Sequence, residues 1–125
     1  MLEGRLPGIV GVRIVEASAE QVVGELTVLE HVLAPNGYLH AASVVALADT
    51  LCGIGTRLSL PETVSGFTTL EIKTNYLGTA RSGVITATAE PQHTGRRTQT
   101  WDATVRDADG RTIALFRCTQ LLLQA

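Results

Sequence analysis

The sequence predicts an α+β fold in which an antiparallel six-strand sheet wraps around one long central helix. The helix follows His40, where the chain down to Leu60 carries only two formal charges, Asp49 and Arg57. This stretch has no period-two alternation, and a helix that is apolar on nearly all sides belongs inside a protein. Strand-like segments flank it, and an antiparallel sheet has one face free to pack against such a helix.

Two strands are predicted before the helix. Residues 9–16 are rich in β-branched side chains, and residues 22–29 alternate weakly, with Leu26 and Val28 on one side. The short turn at residues 17–20 joins the two strands as a hairpin.

Four strands in consecutive hairpins are predicted after the helix. Turns rich in glycine or containing proline separate them, and Asp109-Gly110 is the strongest hairpin signal in the chain. The strands are residues 67–77, 84–90, 97–106 and 112–123, and the first two turns are residues 78–83 and 91–95.

Alternation indicates which strand faces are buried. Leu70, Ile72 and Tyr76 alternate with polar residues, so the strand at 67–77 is predicted to bury one face. Trp101 lies on an alternating strand and is predicted to lie in the core or at a subunit interface.

Length and composition predict a single globular domain spanning residues 1–125. The chain is 45% hydrophobic and 18% charged, which gives it enough apolar mass for a core. The formal net charge is −2, and no run of basic residues is present, so we expect no nucleic-acid partner.

The helix is not predicted to cross a membrane, because Asp49 interrupts its uncharged run and it contains two glycines. The N-terminus lacks a charged region followed by an apolar segment, so no signal peptide is predicted and a cytoplasmic location is expected.

The cysteines and histidines predict no metal site. Cys52 and Cys118 stand in apolar surroundings and are expected to be free, buried thiols of a reducing compartment, with a disulfide as the alternative. His31, His40 and His93 are scattered, without metal-ligand spacing.

Asp49 is the most informative residue of the helix. Burying an ionised carboxylate without a partner costs several kcal/mol, so such a group is paired, protonated or used. The alternatives for Asp49 are a functional role, a local cap or ion pair, and a position where the helix reaches the surface.

The residues around this carboxylate resemble a known family. The segment Asn36-Gly37-x-x-His40-Ala41-Ala42, followed by Ala-Leu-Ala-Asp-Thr, is similar to the motif of the hotdog acyl-CoA thioesterases. The nearest subgroup is the phenylacetate-degradation type, related to one class of 4-hydroxybenzoyl-CoA thioesterase. The resemblance implies the hotdog fold and hydrolysis of an acyl-CoA. It also implies a homodimer or homotetramer, with no cofactor beyond the CoA of the substrate.

The resemblance also implies roles for matching residues. Asp49 matches the family's helix carboxylate, which is the general base on water or the nucleophile on the thioester carbonyl. Ala41 takes the place of the first glycine of a His-Gly-Gly motif, whose backbone N–H polarises that carbonyl. Asn36 and His40 match loop positions that line the site, although by residue type alone His40 also suits a helix cap and Asn36 a turn.

Binding of CoA is expected at arginines. Gly95 and Arg96 fit a turn that in relatives lies near the CoA moiety. Arg97 adjoins them, and Arg81 lies in another turn; arginine suits phosphate oxygens, although arginines at turns are often only solvated. Thr50, beside the helix carboxylate, is a candidate for holding a nucleophilic water or for bonding back to the i−4 carbonyl.

The motif departs from the family in having His-Ala-Ala where relatives have His-Gly-Gly. A backbone N–H survives this change if the local φ is negative. Asp49 lies about 12 Å along the helix from Ala41, at a rise of 1.5 Å per residue. We therefore expect a site shared between subunits, with the helix start of one meeting Asp49 of another.

Two other functions compete with thioester hydrolysis. One is a hotdog dehydratase or hydratase of acyl thioesters, which needs a histidine and a carboxylate converging on the substrate. The other is a non-catalytic acyl-CoA binding module, which the His-Ala-Ala change keeps open. The Ala-Leu-Ala-Asp-Thr string favours the thioesterase.

Overall fold

The computed structural model describes residues 2–124, which form one six-stranded antiparallel sheet and one long helix. The α-helices are α1 (Leu6–Val10) and α2 (Ala41–Leu58), and a short 3-10 helix spans Glu30–Val32. The strands are β1 (Arg13–Ala17), β2 (Val22–Thr27), β3 (Val64–Tyr76), β4 (Val84–Thr94), β5 (Thr98–Arg106) and β6 (Thr112–Gln124), in the spatial order β1-β2-β4-β5-β6-β3. This confirms the predicted α+β class.

α2 packs on one face of the sheet, and its two sides differ in burial. The side against the sheet consists of buried residues, namely Ser43, Val44, Leu47, Ala48, Leu51, Cys52, Gly55 and Thr56. The opposite side, which includes Val45, Ala46 and Asp49, is half-buried. The predicted central helix is thus present, but a single chain buries only one of its sides, since the sheet covers only the side that it touches.

Trp101 lies in the core beneath α2, as one of the two alternatives predicted. Its side chain is fully buried, and its indole N–H donates a 2.8 Å hydrogen bond to Oε1 of the buried Gln99. The helix approaches the indole ring so closely at Gly55 that an added Cβ would lie 2.2 Å from a ring carbon. Close packing therefore requires glycine at this position.

The N-terminal segment differs from the prediction. Residues 9 and 10 belong to α1 rather than to a strand, and β1 begins at Arg13. Proline in the first turn suits a helix start, and Gly11, with φ of 103°, ends the helix in the left-handed conformation. The β-branched residues thus indicated a strand a few residues too early.

The hairpin predicted between the strands at 67–77 and 84–90 is wrong. β3 lies at the edge of the sheet and pairs with β6, whereas β4 pairs with β2 and β5. The connecting segment crosses the end of the sheet, where the N–H of Leu39 donates to the carbonyl oxygen of Ala80 at 2.9 Å. The β5–β6 hairpin at Asp109-Gly110 is confirmed.

The turn predicted at residues 91–95 is also wrong, because β4 continues to Thr94 and the chain reverses at residues 95–97. A register shift between Pro91 and His93 absorbs the proline within the strand.

β3 contains no buried residue, so the prediction of a buried face on this strand is wrong for a single chain. A register shift between Thr69 and Glu71 places Thr69, Ile72 and Tyr76 opposite buried residues of β6, on the side that faces α2. Ile72 and Tyr76 nevertheless remain 44% and 46% exposed. The apolar side of this edge strand and the uncovered side of α2 thus form one open surface.

Candidate active site

Asp49 lies in the middle of α2, on the uncovered side of the helix. Its Oδ1 atom is shielded from solvent, and no group of residues 2–124 forms a hydrogen bond with it. Desolvation by burial raises the pKa of this carboxyl group above its ordinary value. Native proteins rarely leave such an atom without a partner, so its partner is expected outside this chain: water, substrate or a second subunit.

A groove of about 340 Å³ opens beside Asp49. Most of its exposed surface is apolar, although half of the lining residues are polar, and such a mixture is typical of small-molecule sites. The apolar residues are Pro7, Gly53, Ile54, Leu58 and Phe67, and the polar ones besides Asp49 are Thr50, Arg57, Thr69 and Gln120.

Gln120 is a buried polar residue of this groove that the sequence reasoning missed. The Thr69 hydroxyl donates a 2.8 Å hydrogen bond to Gln120 Oε1, which leaves the amide N–H group of Gln120 as a donor at the groove wall. The available signal was a glutamine at an inward position of an otherwise apolar alternating strand.

His40 caps the start of α2, which is one of the two roles predicted for it. Its Nδ1 accepts a 3.0 Å hydrogen bond from the N–H of Ala42, and its carbonyl oxygen accepts one of 2.9 Å from the N–H of Ser43. Ala41 is the first helical residue, so its N–H has no acceptor within the helix. The structure therefore presents this N–H, at the positive end of the helix dipole, as a donor.

The alanines of the His-Ala-Ala segment do not distort the helix start. Among the described residues, only glycines have positive φ, so Ala41 and Ala42 adopt the ordinary helical backbone. The side chain of Tyr76 reaches this point from β3, and its hydroxyl donates to the carbonyl oxygen of Ala41 at 3.0 Å.

Asn36 and Thr50 both have local hydrogen-bond partners. Asn36 Oδ1 accepts a 3.1 Å hydrogen bond from the N–H of Tyr38, so this side chain shapes the exposed loop before the helix. The Thr50 hydroxyl donates to the carbonyl oxygen of Ala46, in the i−4 arrangement, and Thr50 also lines the groove. Its oxygen lone pairs are the part available to a water molecule.

The four candidate CoA-binding residues form two separate groups in one chain. Arg81 precedes β4, and its guanidinium stacks over the Tyr38 ring at 4.3 Å, near the helix start. Gly95, Arg96 and Arg97 follow β4 at its other end, where the two arginines lie beside residues that follow α2. The 11 residues of β4 span roughly 36 Å, so one chain does not bring the two groups together.

Within residues 2–124, no three histidine, cysteine or carboxylate side chains cluster as ligands for a metal ion. The groups that this site brings to its chemistry are a carboxylate, a helix N-terminus and a mostly apolar groove.

Comparisons with known proteins identify the family. The family model of the thioesterase superfamily matches residues 36–114, which include the helix start and Asp49. The chain belongs to the thioesterase superfamily. A 1,4-dihydroxy-2-naphthoyl-CoA hydrolase of Listeria monocytogenes is 38% identical over 112 residues, which cover 88% of this chain and 89% of that protein.

Solved structures of the superfamily share the fold. A thioesterase of Pseudomonas aeruginosa has a TM-score of 0.93 at 27% identity, covering 99% of this chain and 89% of that one. A hypothetical thioesterase of Streptococcus pneumoniae, solved with coenzyme A, has a TM-score of 0.82 at 23% identity, covering 91% and 87% of the two chains. These comparisons confirm the hotdog fold of this chain, and they support its assignment as a thioester hydrolase.

Proposed function

We propose that this thioesterase hydrolyses the thioester of a small to medium or aryl acyl-CoA. The observation that carries the proposal is the half-buried carboxylate of Asp49 at the wall of a mostly apolar groove, since its Oδ1 has no hydrogen-bond partner among residues 2–124. A buried carboxylate without a partner is costly in free energy, and this cost is explained if Asp49 acts on a water molecule or on the substrate.

In the proposed reaction, Asp49 takes a proton from the attacking water, or attacks the carbonyl carbon itself. A bond forms between the attacking oxygen and the carbonyl carbon, and the carbonyl oxygen becomes an oxyanion. The N–H of Ala41 and the helix dipole stabilise this oxyanion. The carbon–sulfur bond then breaks, CoA leaves as its thiolate and is protonated, and the acyl group is released as a carboxylic acid. If Asp49 is the nucleophile, water hydrolyses the resulting mixed anhydride.

The active site is proposed to be shared between two subunits. Asp49 and Ala41 of one chain lie about 12 Å apart along α2, too far to act on one carbonyl group. The unpaired edge of β3, which is 13 residues long, and the exposed side chains of Ile72 and Tyr76 offer a surface for a second copy. A homodimer with a continuous sheet, alone or paired into a homotetramer, buries this surface and supplies Ala41 of the partner subunit.

The phosphates of CoA are proposed to bind arginine side chains. Arg81 lies near the helix start, where the thioester carbonyl binds in this account. Gly95, Arg96 and Arg97 are distant from that point in the same chain, so they contact the same CoA only from another subunit. Asn36, His40 and Thr50 are proposed to shape the loop, helix start and water position around the thioester.

The motif from Asn36 to Thr50 favours the phenylacetate-degradation type, and we propose a cytoplasmic location. The Listeria relative is named for an aryl-CoA substrate. Phenylacetyl-CoA, 4-hydroxybenzoyl-CoA and 1,4-dihydroxy-2-naphthoyl-CoA are therefore the first substrates to test.

The test is the release of free thiol from a panel of short, medium, long and aryl acyl-CoAs. Wild-type protein is compared with Asp49→Asn and with Asp109→Asn, a control that changes an exposed carboxylate in a turn. We expect hydrolysis by the wild type and the control, and a loss of orders of magnitude in Asp49→Asn. Full activity in Asp49→Asn, or no activity of the wild type on any substrate, would contradict the proposal.

A further inference from the structure

The two glycines of α2 have different surroundings. At Gly55 a Cβ atom would collide with Trp101, at 2.2 Å from the nearest ring atom. At Gly53 the nearest atom to such a Cβ is Cζ of Phe67, at 3.7 Å, which is an ordinary van der Waals contact. Packing within the chain therefore requires glycine at position 55 but not at position 53.

Glycine in a helix interior is less favourable than alanine, because the unfolded chain has more freedom to lose. Gly53 has a helical backbone and lies in the middle of α2, so neither a turn nor a cap accounts for it. The remaining explanation lies in the groove, where position 53 faces Phe67 of β3.

Gly53 lies on the groove wall, one helical turn after Asp49. Residues four apart share one side of a helix, at about 6 Å along the axis. A side chain at position 53 would enter the groove toward Phe67 and fill space at that distance from the carboxylate. A ring attached at or next to a thioester carbonyl extends about as far, whereas an acyl group of two carbons does not.

We propose that Gly53 is a specificity-determining residue, whose missing side chain makes room for a ring or a branched chain close to the thioester carbon. This inference rests on the proposed thioesterase function. The expected substrates are acyl-CoAs with a bulky group near the carbonyl carbon. Position 53 of α2 then sets the largest acyl group that the site accepts.

The test compares kcat and KM of Gly53→Ala and Gly53→Leu on benzoyl-CoA, phenylacetyl-CoA and the smallest acyl-CoA that the wild type hydrolyses. Ala108→Leu is the control, because Ala108 is exposed in the turn between β5 and β6, away from β3 and from the groove. We expect Gly53→Leu to lower kcat/KM on the aryl substrates by more than about tenfold, and Gly53→Ala by less. Both variants should keep their activity on the smallest substrate within about twofold, and Ala108→Leu should act as wild type.

Four results would overturn the inference. An equal loss on all substrates would indicate a role in packing, and unchanged selectivity would show that position 53 does not contact the acyl group. Dissociation of the oligomer in light scattering would show that glycine is needed at a subunit contact. A wild type that hydrolyses none of the substrates refutes the proposed function, and this inference with it. If the wild type is active and the Gly53 variants have the same substrate selectivity as the wild type, only this inference is refuted.

Discussion

Asp49 and Ala41 belong to the same helix but lie two turns apart, which is about 12 Å along its axis. The carboxylate has no hydrogen-bond partner for Oδ1 among the described residues, and Ala41 has the free N–H of a helix start. A thioester carbonyl spans only a small part of that distance. The two groups therefore act together only if two copies of the chain bring opposite parts of their helices into one site.

Removing the N–H of Ala41 should impair catalysis without unfolding the helix. Proline is tolerated at the first helical position, and His40, with φ of −68° and ψ of 133°, already has a backbone compatible with a following proline. We expect Ala41→Pro to lower kcat by about 10²–10³-fold, the usual effect of losing one oxyanion donor. Ala41→Ser, which keeps the N–H, is the control. Equal kcat values for the two variants, with similar melting curves, would exclude the oxyanion role.

The pH dependence of activity should reflect the raised pKa of Asp49. The carboxylate must be ionised to act as base or nucleophile, so kcat should fall on acidification. Because burial raises the pKa, this fall should begin at a higher pH than for an ordinary carboxyl group. A pH–rate profile flat down to the ordinary carboxyl range, near 3.8, would contradict this account.

Asp49→Asn should stabilise the fold at neutral pH. A carboxyl group whose folded-state pKa is raised favours the folded state below its unfolded pKa and loses that contribution as pH rises through the folded pKa. At pH 7 the half-buried carboxyl group of Asp49 is charged, and burial disfavours that charge. Asparagine carries no charge, so the melting temperature of the variant should exceed that of the wild type at pH 7. The difference should shrink as the pH approaches 3.8. A lower melting temperature at pH 7 would indicate that Asp49 has a stabilising partner.

Ile72 should be essential for assembly rather than for the fold of one chain. It is 44% exposed on the open surface beside α2, so a charge there is tolerable in a monomer. In a dimer built on this surface, Ile72→Glu would bury an unpaired carboxylate. We expect a dissociated and inactive variant with native circular dichroism. A dimeric, active Ile72→Glu protein would place the interface elsewhere; Leu115→Glu, on the opposite face of the sheet, is the control.

The two cysteines should be unreactive in the native protein. Cys52 and Cys118 are free and buried, and the hydrogen bond with Cys118 and burial together raise the pKa of the Cys52 thiol. The thiolate is the reactive form, so a thiol reagent such as DTNB should react only slowly before unfolding. In denaturant, both thiols should titrate. Absence of thiols after unfolding would indicate a disulfide.

The predictable parts of the fold are the strands whose apolar side is covered by the helix of the same chain. β2 and β5 have alternating residues that the helix covers, so the inward side chains of Leu26 and Trp101 were predictable. β3 alternates in the same way, but its inward side is left open. Alternation indicates which side of a strand is apolar, not whether that side is covered within the same chain. Pairing of β3 with β6 was not predictable either, because it joins segments far apart in sequence.

In the candidate site too, features that depend on local sequence were predictable and features that depend on long-range packing were not. The unusual carboxylate at Asp49 and the helix start were visible in the sequence, because a charge in an apolar helix and a capping residue are local signals. The inward glutamine of β6 was a sequence signal too, but the place of Gln120 in the groove was not predictable, because it depends on the packing of β6 against α2. The separation of Arg81 from Arg97 also depends on the length and direction of β4, which the turn residues do not indicate.

The measurement that tests the shared site most directly is the activity of mixed dimers. Asp49→Ala and Ala41→Pro chains, each inactive alone, are unfolded, mixed in equal amounts and refolded together. If one site takes Asp49 from one subunit and Ala41 from the other, each mixed dimer has one complete site, and random pairing restores about a quarter of the wild-type activity. Activity that stays at the level of the separate variants, with mixed dimers shown to form, would contradict a site shared between subunits.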